Sequence, residues 1–290
     1  MNKYILVLLF CVLGLVSCGD KNKIPTNEIH YTTIDNDVLP LENLLNFGEG
    51  RIVSNSYVQD KNLCILKFDK EVTQIWEGAF YGCSNLTSIS IPPSIMKIGR
   101  FAFRGCSNLT SISIPPSVSE IGRCAFSGCS SLTSISIPPS VTEIGKWAHS
   151  GCSNLTRISI PPSVTEIGYE AFRDCSSLTN VVVSNDNKVY DSREDCNAII
   201  HTESNTLICG CKNTVIPSSV TEIGHHAFWD TCYKEDGELK GVTVANVAVS
   251  EEDFSSLEIG DDWIPKYDYL LFKKAIEVNY SAERQAMPAK

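Results

Sequence analysis

Long apolar runs are scarce in this 290-residue sequence. Beyond the first fifteen residues none approaches the ~18 needed to cross a bilayer, so no transmembrane helix is expected. Basic residues are also in the minority, with 24 Lys and Arg against 34 Asp and Glu and a formal net charge of −10. With no Lys/Arg run, that balance speaks against a nucleic-acid partner and against general attraction to anionic lipid. No G-x-S-x-G, P-loop, H-E-x-x-H or EF-hand pattern occurs, so neither an enzyme nor a cofactor is expected. The composition, 43% hydrophobic and 20% charged, is that of a folded chain.

The first residues have the plan of a secretory signal: Lys3, a twelve-residue apolar run from Tyr4 to Leu15, then small residues. The segment ends in Leu15-Val16-Ser17-Cys18. This resembles the lipobox of bacterial lipoproteins, and the resemblance implies a lipid on Cys18, which would tie the mature chain to a membrane. Residues 1–17 are then the signal and 18–35 a tether, opening on the polar Gly19–Thr26.

From residue 72 the sequence repeats with a period of 23. "GCSNLTSISIPPS" stands at 82–94 and again at 105–117, with close variants at 128–140 and 151–163. Units open at Val72, Ile95, Val118, Val141 and Val164, with a partial unit at Val220. A period of this length with L-x-x-I-x-I in each unit is the mark of a leucine-rich repeat solenoid. In "LTSISIPP" the residues Leu86, Ile89 and Ile91 face inward and Ser88 and Ser90 outward, a short strand that Pro92 and Pro93 end. In "VTQIWEGAFYG" the spacing of Val72, Ile75, Ala79 and Phe80 predicts a short α- or 3₁₀-helical segment closed by Gly82. The fold expected is an α/β solenoid with parallel strands on one face, short helical segments on the other and one hairpin insert. A single unit buries too little to stand alone, and each copy covers the one before it.

The phrase "SVTEIGxxAFxGCSxLTSISIP" resembles the BspA-type leucine-rich repeat family over 72–179. The stretch "YDSREDCNAIIHTESNTLICGCKNTVIPSSVTEIGHHAF" at 190–228 resembles an insert common in Bacteroides-group members, where a hairpin interrupts the coils. Residues 31–71 resemble the family's irregular first coils. The organisation expected is capping coils at 36–71, repeats at 72–232 with the hairpin insert at about 181–215, and a C-terminal cap or tail at 233–290. Within that tail, 269–280 has an amphipathic helical pattern. The resemblance implies a secreted or surface protein concerned with adhesion or protein recognition, not catalysis.

Several tempting signals have plainer readings. Cys83, Cys106, Cys129, Cys152 and Cys175 recur every 23 residues and read as a column of buried, unpaired thiols. Cys196, His201, Cys209 and Cys211 all fall on the expected hairpin, and their C-x-C spacing is not that of common zinc sites, so no metal is expected. His149 takes a place held elsewhere by Phe and reads as variation at an outer edge. Glu120, Glu143 and Glu166 form a solvated acidic column, with Arg123 and Lys146 placed to offset it.

The candidate recognition face is the outward side of the strands: Ser88, Ser90, Ser111, Ser113, Ser134, Ser136, Arg157, Ser159 and Asn180. It is shallow and hydroxylated, with Arg157 as its one large anchor among the serines. The function expected is a lipid-anchored, outer-membrane, surface-exposed repeat protein that binds another protein, including a host extracellular one. The alternative is a structural component of the bacterial envelope with no host ligand.

Overall fold

The computed structural model describes residues 24–40, 50–224 and 227–228, with the backbone of 233–235, 238–240, 243–244 and 258–259. Cys18, the signal segment and the amphipathic stretch 269–280 lie outside the described residues.

The chain enters through three strands, β1 (Glu28–Thr33), β2 (Ile52–Val58) and β3 (Leu63–Phe68). They pair antiparallel in the order β2-β3-β1, and β1 adds antiparallel to the first coil. The first coil holds β4 (Gln74–Ile75) and β5 (Leu86–Ser90), the second β6 (Lys97–Ile98) and β7 (Ser111–Ser113), and the third β8 (Glu120–Ile121). The fourth holds β9 (Glu143–Ile144) and β10 (Arg157–Ile160), and the fifth β11 (Glu166–Ile167) and β12 (Asn180–Val183). After β13 (Tyr190–Asp191), an antiparallel hairpin of β14 (Ile199–His201) and β15 (Thr206–Cys209) follows. Next come β16 (Val215–Ile216) and β17 (Glu222–Ile223).

Two differences at the entry have one cause. The tether expected over 18–35 is already structured at β1, and the antiparallel pair of β2 and β3, with β3 beside β1, stands within the irregular coils expected at 36–71. In β1, Ile29, Tyr31 and Thr33 alternate inward and are buried, so this strand covers the open edge of the first coil that no earlier repeat can cover.

The continuous ladder of the solenoid is the Glu-Ile column. Strands β4, β6, β8, β9 and β11 pair in parallel with Ile75, Ile98, Ile121, Ile144 and Ile167 in register. The Leu-x-x-Ile-x-Ile side is less regular: β5 pairs β7 and β10 pairs β12, but between the third and fourth coils the strand pairing shrinks to a single bridge from Ser134 to Arg157. Packing holds that coil, because Leu132, Ile135 and Ile137 stay buried. Beyond the repeats the same letters pair in a separate sheet, where β17 lies parallel to Glu258–Ile259. The letters Leu257-Glu258-Ile259-Gly260 echo Thr221-Glu222-Ile223-Gly224, a signal hidden by a spacing of 36 rather than 23.

The helical segments of the expected α/β solenoid are absent from the coils; the described repeats are strand and turn, a β-solenoid. The only helical piece described is a 3₁₀ turn at Arg193–Asp195, in the insert. The reason lies in where the backbone donors go. In "GRFAFRGC" the N–H groups of Phe101, Phe103 and Gly105 donate to Arg123, Ala125 and Ser127 of the next coil, at 2.9, 2.7 and 2.8 Å. The intervening N–H groups of Ala102, Arg104 and Cys106 close i to i−3 turns onto Gly99, Phe101 and Phe103. A helix needs every donor for its own axis, whereas here alternate donors point sideways. Two left-handed residues per coil enforce the pattern: Phe101, Cys124, Trp147 and Glu170 in one column (φ 57°, 53°, 58° and 54°), and Gly105, Gly128 and Gly151 in another. Gly82, expected to close a helix, serves a turn instead, with φ 70°.

A second glycine column sets how closely the coils approach. A Cβ at Gly99, Gly122, Gly145 or Gly168 would meet backbone of the preceding coil, at 2.5 Å from the Arg123 nitrogen in the case of Gly145. The first coil has Trp76 at this position, where no earlier coil stands in the way.

Inside, each letter of the repeat makes a column. Phe80, Phe103, Phe126, His149 and Phe172 stack with centroids 5.1–5.4 Å apart. The cysteine column beside them is buried and without disulfides, and from the second coil on each thiol donates to the preceding coil: Cys106 to the Phe80 carbonyl at 3.1 Å, Cys129 to Phe103 at 3.2 Å, Cys152 to Phe126 and Cys175 to His149 at 3.3 Å. Burial pushes the Cys83 thiol up to about 11 and the deeper members higher still, so the column stays protonated.

His149 is not at an outer edge. It is 0% exposed, sandwiched between Phe126 and Phe172, and neither ring nitrogen has a hydrogen-bond partner. The ring fits because the stack asks only for a flat side chain; the cost is two buried polar atoms. Burial pulls its pKa down to about 3, so the ring is neutral.

Two outcomes follow. Gly145→Ala should lower stability by ~1–3 kcal/mol, read as a drop in urea midpoint at unchanged slope, because backbone must shift to admit the methyl group. His149→Phe should raise stability by ~1–3 kcal/mol by removing two unsatisfied atoms. The unfolded chain binds a proton at His149 near its ordinary 6.5 and the folded chain does not until about 3. Wild-type stability therefore has a His149 component that is full above pH 6.5 and declines between 6.5 and about 3. Urea titrations across that window should show the decline attenuated in the variant.

Candidate recognition surfaces

The outward strand side is built from polar letters of two kinds. The threonines are structural: Thr110, Thr156 and Thr179 each donate a side-chain hydroxyl to the carbonyl of the threonine one coil earlier, at 3.0–3.3 Å. At the coil corner Ser117, Ser140 and Ser163 do the same for Ile95, Val118 and Val141, each at 2.6 Å. Repetition of a hydroxyl at these places is a requirement of stacking, not of recognition.

The residues expected to form the recognition face fall into three groups. Ser88 and Ser90 lie at the paired edge with β1, half-buried, with the Ser88 hydroxyl 2.6 Å from that of Thr32. Ser111, Ser113, Ser134, Ser136, Arg157 and Ser159 are exposed across the second to fourth coils. Asn180 closes the row half-buried, its Oδ1 atom buried without a partner. The exposed patch is therefore narrower than the nine residues suggest, and Arg157 is its single charged side chain.

A second outward surface lies on the turn that replaces the expected helix. Counting from the residue that opens each coil, positions six, seven and ten are where the coils differ most; six is exposed throughout, ten is exposed or half-buried, and seven is half-buried where it carries Phe101, Trp147 or Glu170. Arg104 lies 5.5 Å from the Phe101 ring centroid and 5.8 Å from that of Tyr81, and Arg100 lies 5.5 Å from Phe101. Arg123 lies 4.6 Å from Trp147, while Lys146 lies 4.3 Å from Trp147 and 4.6 Å from Tyr169. These cation–π contacts run from the first coil to the fifth. The variable outward positions in the sequence are Trp76, Phe101, Arg104, Arg123, Trp147 and Tyr169, and the coil geometry brings the last five into cation–π contacts. His226, marked with them, lies outside the described residues.

The acidic column is neutralised differently from expectation. Lys97 stands in the same column and pairs with Glu120 at 2.6 Å, while Arg123 and Lys146 turn to Trp147. Glu143, between Glu120 and Glu166, has its pKa raised, by partial burial first and by its two neighbours second.

Three of the insert's four Cys and His side chains are engaged elsewhere. The Cys196 and Cys211 thiols turn to the Ala198 and Asn197 carbonyls, and His201 bonds Ser204. Among the described residues no three His, Cys, Asp or Glu side chains converge. A cavity of about 460 Å³ opens between the fifth coil and the hairpin, with Tyr169, Arg173, His201 and Glu222 on its wall. Its charged groups are engaged, Arg173 with Glu170 at 2.9 Å and Glu222 with Thr206 at 2.9 Å.

Glu143→Gln should stabilise the fold at pH 7 by ~0.2–1 kcal/mol at low salt, since like charges one strand apart repel. The raised folded-state pKa means that Glu143 costs stability only once ionised, so the gain should vanish as pH falls below the ordinary carboxylate value of 4.5.

Residues 51–179 match the model of the BspA type leucine rich repeat region in six copies. A leucine-rich repeat protein from Bacteroides ovatus is 48% identical over 39% of this chain and 29% of its own, with a TM-score of 0.37. The leucine-rich repeat protein of T. pallidum is 42% identical over 39% of this chain and 53% of its own, TM-score 0.38. A leucine-rich cell surface protein from Faecalibacterium prausnitzii is 29% identical over 57% of this chain and 54% of its own, TM-score 0.42. The chain thus spans less than two thirds of the length of each of these relatives. No curated protein matches.

Proposed function

We propose that this chain, whose residues 51–179 are a BspA-type leucine-rich repeat region, is a non-catalytic recognition protein held at the bacterial surface by a lipid on Cys18. Its ligand is another protein, and adhesion to a host extracellular protein is its use. The observation that carries this reading is the division of labour within the repeat. Inward letters and stitching hydroxyls recur almost unchanged, while the turn-side letters at positions six, seven and ten vary from coil to coil and Arg157 breaks the serine row of the strand side. A solenoid that only had to stand would gain nothing from that variation; a surface that must discriminate partners does. On the strand side Arg157 is the proposed anchor, with Ser134, Ser136 and Ser159 around it.

The monotony of that serine face favours a second reading, an assembly component of the envelope without a host ligand.

The full chain, immobilised and exposed to purified host matrix proteins and to envelope proteins, separates the two. Saturable binding to a host protein, weakened about fivefold or more by Arg157→Ala, is the expected result. Binding confined to envelope proteins favours the second reading, and binding to no protein overturns both. Protease added to intact cells should remove the chain; full protection rules out surface display.

A further inference from the structure

We infer that the turn-side ridge is a second docking surface, and that its occupant is an acidic, extended segment of a protein partner lying along the solenoid axis. The class of partner rests on the protein-recognition reading; the place and the charge do not.

The chain carries a net charge of −10, yet Arg100, Arg104, Arg123 and Lys146 cluster on three successive coils. Among the described residues none of the four makes an ion pair with a carboxylate; the pairs of neighbouring cations are Lys97 with Glu120 and Arg173 with Glu170 and Asp174. Arg100, Arg123 and Lys146 occupy one column, so like charges stand one coil apart, about 4.8 Å along the axis. Among the described residues no ion pair compensates that arrangement, and Glu77 ends the same column one coil before Arg100. What holds the four side chains is aromatic rings, at 4.3–5.8 Å. A ring face orients a cation without cancelling its charge, so the field remains available to a ligand.

The shape of the ridge adds to the charge. Phe101, Cys124 and Trp147 share the left-handed position and so leave the backbone alike. Cys124 is small and 6% exposed, so the third coil makes a saddle between the two large rings, with Arg123 beside it. A carboxylate entering that saddle meets Arg100 and Arg123. A neutral sugar would need ring faces that the cations occupy. The ridge spans five coils, about 19 Å, which an extended chain covers in about six residues. Exposed Glu77 and buried Glu170 stand at its two ends and limit the anion to the middle.

A fluorescein-labelled hexaglutamate peptide, titrated into the full chain and read by anisotropy, tests the assignment. Binding is expected at low salt and should weaken as salt is raised. The variant with Arg100, Arg104, Arg123 and Lys146 all changed to Gln should bind on the order of tenfold more weakly at an unchanged melting temperature. Arg123→Gln alone should show part of the loss, should the fourfold variant not fold. Arg157→Ala should bind the peptide as wild type does. No binding, or equal binding by wild type and the variants, overturns the inference. Heparin fragments or anionic vesicles taken in preference to the peptide overturn the choice of an acidic protein. If a host protein binds through Arg157 while the ridge variants change nothing, recognition stands and this inference alone falls.

Discussion

The sideways backbone hydrogen bond from one coil to the next governs this molecule. Once Phe101, Phe103 and Gly105 donate to the following coil, no helix can form between the strands, because a helix would claim the same donors. The glycine column then follows, since carbonyl and amide can meet only where no Cβ intervenes. So do the stacked rings and the thiols that donate to the neighbouring coil. Each inward letter repeats because its neighbour one coil away needs the same shape, and this is also why His149 is tolerated: its ring has the outline of Phe, and the cost falls on two nitrogens.

The same constraint sorts the polar residues. Threonine and serine hydroxyls that stitch coil to coil are committed to the fold and have little left to offer a ligand. Residues freed from that duty lie on the strand side around Arg157 and on the turn side around Trp147. The first is flat and nearly uncharged. The second concentrates cations and aromatic rings on an otherwise acidic protein. In the function proposed above, recognition rests on which side chains neighbouring coils bring side by side.

Legibility in the sequence depended on the kind of residue. Leu86, Leu109, Leu132 and Leu155 are all buried in register, as the period of 23 requires. Tyr31 in β1 went unread because a strand that covers an edge appears once and carries no repeat. Glu258–Ile259 was missed because its spacing breaks the period. The strand and turn in "EIGxxAFxGC" could not be told from a helix, as Ile, Ala and Phe at those intervals satisfy both. The left-handed position is held by Phe101, Cys124, Trp147 and Glu170, residue types that announce nothing of the kind.

The sequence by itself determined the repeat, the inward columns and the acidic balance, since each is a matter of which letters recur and at what interval. Tertiary structure alone decided that the turn is not a helix, that His149 is buried, and that Arg123 and Lys146 rest on Trp147 instead of answering the glutamates. The physical reason is common to all three. Each depends on what stands one coil away, 23 residues off in the chain and one strand spacing away in space.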